Sequence, residues 1–203
     1  MTLSTSLGDY ELLRLMMAGD EGAFTMLYQR RQGGVYRFAI QMSGSESIAE
    51  DVTQEVFLLL MREAAGYDPA RGSLSAYLYG IARNFVLRRL HQEQRFTPID
   101  DDRDSRGDSG RFAARGDLLA DLTRSQTIDI VRAAVLSLPP RYREVVVLCD
   151  LQEISYAEAS AILDCAVGTV RSRLHRARAL LAEKLRVATV SAPEPVTAAR
   201  CFA

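Results

Sequence analysis

Between Arg171 and Arg186 the chain carries six Lys or Arg side chains against a single acid, Glu183. At the helical angle of about 100° per residue, Val170, Leu174, Ala177, Leu181 and Leu185 fall on one apolar stripe, and Thr169, Ser172, His175 and Arg176 lie opposite it. Arg171 and Arg173 flank that outer face. A guanidinium on such a face can pair with O6 and N7 of a guanine or reach a neighbouring phosphate, and the amides that open the helix at Gly168 and Thr169 suit a phosphate as well. A basic helix by itself is also an ordinary solvated surface. What precedes this one argues against that reading. Ser155-Tyr156-Ala157-Glu158 is a capping box, a short helix follows with Ala159, Ile162 and Leu163 on one face, and Asp164-Cys165-Ala166 makes a tight connection. Short helix, three-residue turn and longer basic helix form a helix-turn-helix. His175 alone does not separate a base contact from a surface histidine.

A second set of residues has different chemistry. From Ser73 to about His91, Leu74, Leu78, Ile81 and Phe85 recur at i, i+4, i+7 and i+11 and are expected to point inward. Elsewhere on this helix stand Tyr77, Tyr79, Arg83 and Asn84, followed by Arg88 and Arg89. Aromatic rings interleaved with guanidinium groups can stack unpaired bases and hold their phosphates, a combination that suits separated strands better than closed duplex, although tyrosines on a helix are as often partial core. Gly80 inside the helix costs roughly 1 kcal/mol relative to alanine, and the pattern supplies no reason for it. On the helix from Ser47 to Arg62, Ile48, Val52, Val56, Leu59 and Leu60 point one way. Asp51, Gln54, Glu55 and Leu58 occupy i, i+3, i+4 and i+7 on another face, which by pattern alone is a solvated stripe.

The elements that must position these residues are helical throughout, so the expected fold is all-α, two helical domains joined by a flexible linker. Phe24, Leu27, Tyr28, Val35, Phe38, Ala39 and Met42 mark one long amphipathic helix in which Gly33-Gly34 could introduce a bend. The next helix is expected to open on a capping box at Ser47-Ile48-Ala49-Glu50, and a loop with Gly66, Pro69 and Gly72 leads into the third. The first domain is thus residues 1–96. From Thr97 the periodicity stops in favour of Asp, Arg, Gly and Ser, including Asp100-Asp101-Asp102-Arg103-Asp104, and 97–122 is read as an acidic linker. Helical spacing resumes with Ile128, Val131 and Val135, breaks at Pro139-Pro140 and continues through Tyr142, Val145 and Val146. The second domain is 123–187, and a tail with Pro193 and Pro195, 188–203, is expected to be disordered.

Composition narrows the function. The chain has 203 residues, formal net charge -1 and a pI of about 6.2, so no nonspecific basic coat is present, yet its basic stripe and acidic run are well separated. Cys149, Cys165 and Cys201 form no C-x-x-C pair and lie far from His91 and His175, which leaves no metal-ligand spacing and no disulfide framework. No glycine-rich phosphate loop and no nucleophile with an identifiable base is present, so no catalytic residue, metal or cofactor is expected and the chain reads as a non-enzyme. No apolar run approaches a membrane span and no export signal is visible, which points to a cytoplasmic protein without membrane insertion.

Four segments together resemble a known family: A-E-D-V-T-Q-E-V-F at Ala49 to Phe57, Y-L-Y-G-I-A-R-N at Tyr77 to Asn84, L-P-P-R-Y-R-E-V at Leu138 to Val145, and G-T-V-R-S-R-L-H-R-A-R at Gly168 to Arg178. In this order they are similar to the extracytoplasmic-function (ECF) sigma factors of bacterial RNA polymerase. The resemblance implies that the first domain is sigma region 2, with Asp51, Gln54, Glu55 and Leu58 meeting the clamp helices of the polymerase largest subunit. It implies that the loop from Gly66 to Ser73, with Tyr67 and Arg71, and the helix bearing Tyr77, Tyr79, Arg83, Asn84 and Arg88 capture flipped bases of the minus-10 element. The second domain would be region 4, with Thr169, Arg171, Ser172, Arg173, His175 and Arg176 reading the minus-35 element and touching the polymerase flap. The acidic linker would thread the RNA-exit channel, and an anti-sigma factor would hold the protein inactive. Tyr77 stands where many members have tryptophan, and Ala166 where many have a helix-opening proline. A stand-alone helix-turn-helix regulator explains the second domain equally well but leaves the Ala49 to Phe57 stripe and the Tyr-Arg helix without a purpose.

Overall fold

The computed structural model describes residues 7–96 and 118–190, with side chains over 7–92 and 127–186. All regular elements among the described residues are helical: α1 (Asp9–Met17), α2 (Glu21–Ser43), α3 (Glu46–Glu63), α4 (Leu74–Phe96), α5 (Leu118–Leu136), α6 (Pro140–Val146), α7 (Tyr156–Leu163) and α8 (Val167–Val190). Two 3-10 turns, Ala64–Gly66 and Pro69–Arg71, join α3 to α4, and a π-helical turn, Val147–Leu151, follows α6. The acidic linker up to residue 117 and the tail from residue 191 lie outside the described residues. Inside them, α5 is already helical over 118–122, and α8 runs past 187 to Val190.

The local signals account for the boundaries. Asp20 caps α2 by accepting from the Ala23 amide at 3.0 Å, and Gly44, at φ 75°, closes it in the left-handed conformation that glycine adopts without steric penalty. That turn leaves Ser45, not Ser47, as the extended residue whose hydroxyl accepts from the Ile48 amide at 3.3 Å. The expected capping box at Ser47 and Glu50 is therefore corrected to a single serine cap two residues earlier. Ser73 caps α4 through the Ala76 amide at 3.2 Å. Pro140 at the first turn of α6 places its missing N–H where no helical partner exists.

Helix α2 is unbroken through Gly33-Gly34, so the expected bend is absent. The glycine at 34 serves packing instead: a Cβ there would lie 2.8 Å from the Tyr79 hydroxyl oxygen. Tyr79 is 8% exposed and stacks on Phe38 at 5.4 Å between ring centroids. The inward stripe of α4 is Leu74, Leu78, Ala82 and Val86, while Ile81 and Phe85, expected inside, are half-buried. The shift arises because α4 is covered by α2 and α3 and also by α7, so its apolar face is wider than one stripe. Buried residues of both halves, from Leu12 and Phe38 to Leu148 and Leu174, form one continuous cluster rather than two.

The two adjacent glycines of α2 should respond oppositely to alanine. At Gly33 a methyl would meet only the flexible Arg37 guanidinium at 3.3 Å, and Gly33→Ala should raise stability by about 0.5 to 1 kcal/mol. Gly34→Ala drives a methyl into an ordered tyrosine and should lower it by about 1 to 3 kcal/mol. Urea unfolding of the two variants beside the parent checks both signs.

Candidate nucleic-acid interface

The helix-turn-helix is built as its sequence implies. Ser155 and Glu158 form the reciprocal capping box of α7. Asp164 takes a left-handed conformation at φ 48°, and α8 begins as the Val170 amide bonds to the Ala166 carbonyl at 3.1 Å. Val170, Leu174 and Ala177 are buried, fixing the rotation of α8 against α6 and α7. Arg171, Ser172, His175 and Arg176 are consequently exposed on one side, with Thr169 and Arg173 half-buried beside them.

Several of these guanidinium groups are held by residues that the sequence pattern did not single out. The Arg171 guanidinium lies 5.8 Å from the Tyr156 ring centroid. Arg176 and Arg141, the latter with its guanidinium 4.7 Å from the Tyr142 ring centroid, stabilise the Tyr142 phenolate and lower the phenol's pKa below its ordinary value, Arg176 most. Arg178 donates to both carboxylate oxygens of Asp150, at 3.0 and 2.6 Å, which removes it from the free cations of the helix. Such anchors restrict the rotamers of long side chains before any ligand arrives. Their partners come from α6, from the turn after it and from the start of α7, all outside α8.

In the first half, the loop before α4 is closed on itself. The Tyr67 hydroxyl donates to the Gly72 carbonyl at 3.0 Å, and its ring sits 5.5 Å from that of Tyr77. Burial, reinforced at Tyr67 by Asp9 and Asp68 and at Tyr77 by Glu63, raises both phenol pKa values, so both rings stay neutral. Tyr67, Arg71, Tyr77, Gly80, Glu158 and Ile162 line a cavity of about 240 Å³ between this loop and α7. Arg71, Asn84 and Arg88 are exposed, with the Arg88 guanidinium 5.7 Å from the Phe85 ring centroid. Two expected strand-capturing residues are placed otherwise. Tyr79 is core, its hydroxyl donating to Gln152 Oε1 at 3.0 Å, and Arg83 is paired with Glu144 Oε1 through Nε at 3.1 Å and Nη2 at 3.0 Å. Both polar groups are engaged by residues of the second half of the chain, which lies over this part of α4.

On α3, Asp51, Gln54 and Leu58 are exposed and Glu55 is half-buried, and Met61, 55% exposed one turn beyond Leu58, extends the stripe. Arg89 of α4 bridges the stripe, donating to Asp51 Oδ2 at 2.6 Å and to Glu55 Oε1, and these bonds outweigh desolvation in raising its pKa. The α3 stripe and α4 are thereby linked through one guanidinium. No group of side chains among the described residues could hold a metal, and no described helix is long and apolar enough to cross a membrane.

Comparison with known proteins falls on the same two halves. Residues 27–96 match the family profile for Sigma-70 region 2, and 128–181 match that for Sigma-70 region 4. The ECF RNA polymerase sigma-E factor of Escherichia coli K12 is 33% identical over 91% of this chain and 97% of its own length. The chain belongs to the ECF sigma factors. A further relative, SigE of Mycolicibacterium smegmatis, is 36% identical over 82% of this chain, which spans 64% of that longer protein. The crystal structure of the Bartonella quintana sigma factor RpoE with the anti-sigma factor NepR is similar at a TM-score of 0.66 and 26% identity, covering 81% of this chain and 97% of that one. Region 2 of this sigma factor is accordingly α2 to α4, and region 4 spans most of α5 to α8.

Cys149, half-buried in the turn after α6, is a poor nucleophile. Burial and the Asp150 carboxylate push its thiol up to about 11, against an ordinary 9.0, so thiolate is scarce at neutral pH. At pH 8 its alkylation by iodoacetamide should be about a hundredfold slower in the folded protein than in urea, and peptide mass mapping over time measures the ratio.

Proposed function

We propose that this ECF sigma factor binds core RNA polymerase through region 2, reads a minus-35 element with α8 and a minus-10 element with the loop before α4 and α4 itself, and initiates transcription without catalysing a reaction of its own. The observation that carries the reading is the pairing, in one chain, of a groove-sized basic helix face with a separate face of tyrosine rings and guanidinium groups beside a cavity large enough for a base. On α8, Arg171, Arg173 and Arg176 supply bidentate donors for bases or phosphates, and Thr169, Ser172 and His175 complete the set. In region 2, Tyr67, Arg71, Tyr77, Asn84 and Arg88 form the surface for unpaired bases, joined by Arg83 once its partner is withdrawn. Unstacking then needs no ATP, because extruded bases are stabilised in the pocket and on the rings.

Asp51, Gln54, Glu55 and Leu58, with Met61, form the polymerase-docking stripe, an apolar centre with acidic flanks that complements a basic helical surface. Region 4 also touches the polymerase flap. The protein acts in the cytoplasm and is held inactive by an anti-sigma factor, as the RpoE–NepR complex supports by analogy. The acidic linker lies in the RNA-exit channel, where its carboxylates occupy ground meant for phosphates. A stand-alone regulator would need neither the α3 stripe nor the cavity.

Run-off transcription with core polymerase tests the reading: the chain should start RNA at promoters of its host, and silence at all of them would favour the stand-alone regulator. Arg176→Ala should weaken upstream recognition by about 1 to 3 kcal/mol with promoter preference relaxed at one position. Leu58→Asp should lower affinity for core polymerase in a fluorescence titration while leaving duplex binding by α8 unchanged.

A further inference from the structure

Three tyrosine rings form a continuous series of contacts beside the loop that precedes α4, and only two of them lie in the stretch 27–96 that matches region 2. Tyr77 of α4 and Tyr67 of the loop are 5.5 Å apart between centroids, and the third ring, Tyr10 of α1, lies 6.5 Å from Tyr67. Tyr67 and Tyr77 are half-buried and line the cavity before α4. Tyr10 stands outside that lining, next to one of its walls, and is 53% exposed. Part of its ring is therefore open to solvent.

Helix α1 does not need that ring to stay in place. Leu12 and Leu13, at 0% and 2% exposure, bury its inner side. Asp9 accepts from Arg30 Nη1 at 2.9 Å and pairs with Arg31, while Arg30 also donates to the Leu7 carbonyl at 2.9 Å. These bonds pin the start of α1 to α2 and neutralise the acid next to Tyr10 in sequence. Arg14 follows one turn later, on the same side of the helix as Tyr10. It is exposed, and among the described residues no carboxylate pairs with it. An open aromatic face with a free guanidinium one turn away, both carried by a firmly held helix, is a pre-shaped place for a base and its phosphate.

We infer that, within the sigma-factor reading, Tyr10 and Arg14 form a further subsite for single-stranded DNA: an unpaired base just downstream of the minus-10 element stacks on the open face of Tyr10, and its phosphate meets Arg14. Stacking needs an unpaired base, and beyond the minus-10 element the strand is unpaired on the side toward the start site. Every base has a π-face, so the subsite tolerates any sequence. It lengthens the hold on the melted strand and leaves the choice of promoter to the other contacts.

The test uses holoenzyme, core polymerase with the full chain, and two fork-junction DNAs built on promoters of its host. Both carry the minus-35 duplex and an unpaired non-template minus-10 element. In one the strand ends with that element, and in the other it runs several nucleotides further. Parent holoenzyme should prefer the longer fork. Tyr10→Ala should weaken binding of the longer fork about tenfold, within the range of one base–aromatic stack, and leave the shorter fork unchanged. Tyr10→Phe keeps the ring and should keep the preference. Arg14→Ala should weaken only the longer fork and make the slope of log affinity against log salt shallower by about 0.7, the share of one phosphate on a single strand. A merely structural role for Tyr10, propping the Tyr67 loop, would weaken both forks alike, so equal losses in Tyr10→Ala overturn the subsite. So does a longer fork bound as tightly by Tyr10→Ala as by the parent, or a Tyr10→Phe as weak as Tyr10→Ala. A salt slope unchanged in Arg14→Ala overturns the phosphate contact. A parent holoenzyme that bound neither fork would instead overturn the sigma-factor reading, and the subsite with it.

Discussion

Tyr79 lies where three parts of the chain meet, and the arrangement of the molecule follows from how it is accommodated. Its ring stacks on Phe38 of α2, its hydroxyl sits against Gly34, and the same hydroxyl reaches Gln152 of region 4. A tyrosine buried this deeply needs a hydrogen-bond partner, since an unsatisfied hydroxyl inside a core costs about 1 to 3 kcal/mol. The partner comes from region 4, and Gln152 is itself satisfied by Gln41. Burial of one aromatic residue therefore ties together the close packing of α2 on α4 and the orientation of region 4 over both.

Charge is organised by the same logic of committed partners. The net charge of -1 conceals guanidinium groups in quite different states. Arg83 and Arg178 are paired with carboxylates, Arg89 bridges two of them, and Arg171 and Arg176 lean on tyrosines that leave their charge available. Arg143 is spent on carbonyls of Met42, Leu136 and Leu138, and burial lowers its pKa. A buried pair such as Arg83 and Glu144 is weak evidence of net stability, because desolvation offsets much of the attraction. Its consequence is selectivity: it specifies one docking of the two regions and leaves a penalty if only one partner is withdrawn.

Helix α8 shows how a surface is shaped without new backbone features. Burial of Val170, Leu174 and Ala177 sets which side of α8 faces outward, and the tyrosines at 142 and 156 then narrow the rotamers of the arginines on that side. In region 2 the corresponding preparation is a loop stitched by the Tyr67 hydroxyl, with Gly72 at φ 147° allowing its carbonyl to accept. The two faces differ in access, since Tyr79 and Arg83 of the second are covered while Arg71, Asn84 and Arg88 stay exposed.

Local rules were enough to read from the amino-acid order the all-helical class, the helix-turn-helix with its Ser155 and Glu158 cap, the break at Pro139-Pro140 and the outward face of α8, because each depends on periodicity, caps or backbone freedom within a few residues. The four family segments likewise carried the assignment to a sigma factor. The start of α3 was missed by two residues because Ser45 and Ser47 are both competent caps and the preceding Gly44 turn decides between them. Only the tertiary structure could show that Gly34 makes room for Tyr79, that Tyr79 and Arg83 are covered, or which distant partners Arg89, Glu144, Gln152 and Glu158 meet. Those roles join residues 34 to 111 positions apart, and no helical period encodes which distant side chain arrives to satisfy a buried hydroxyl or charge.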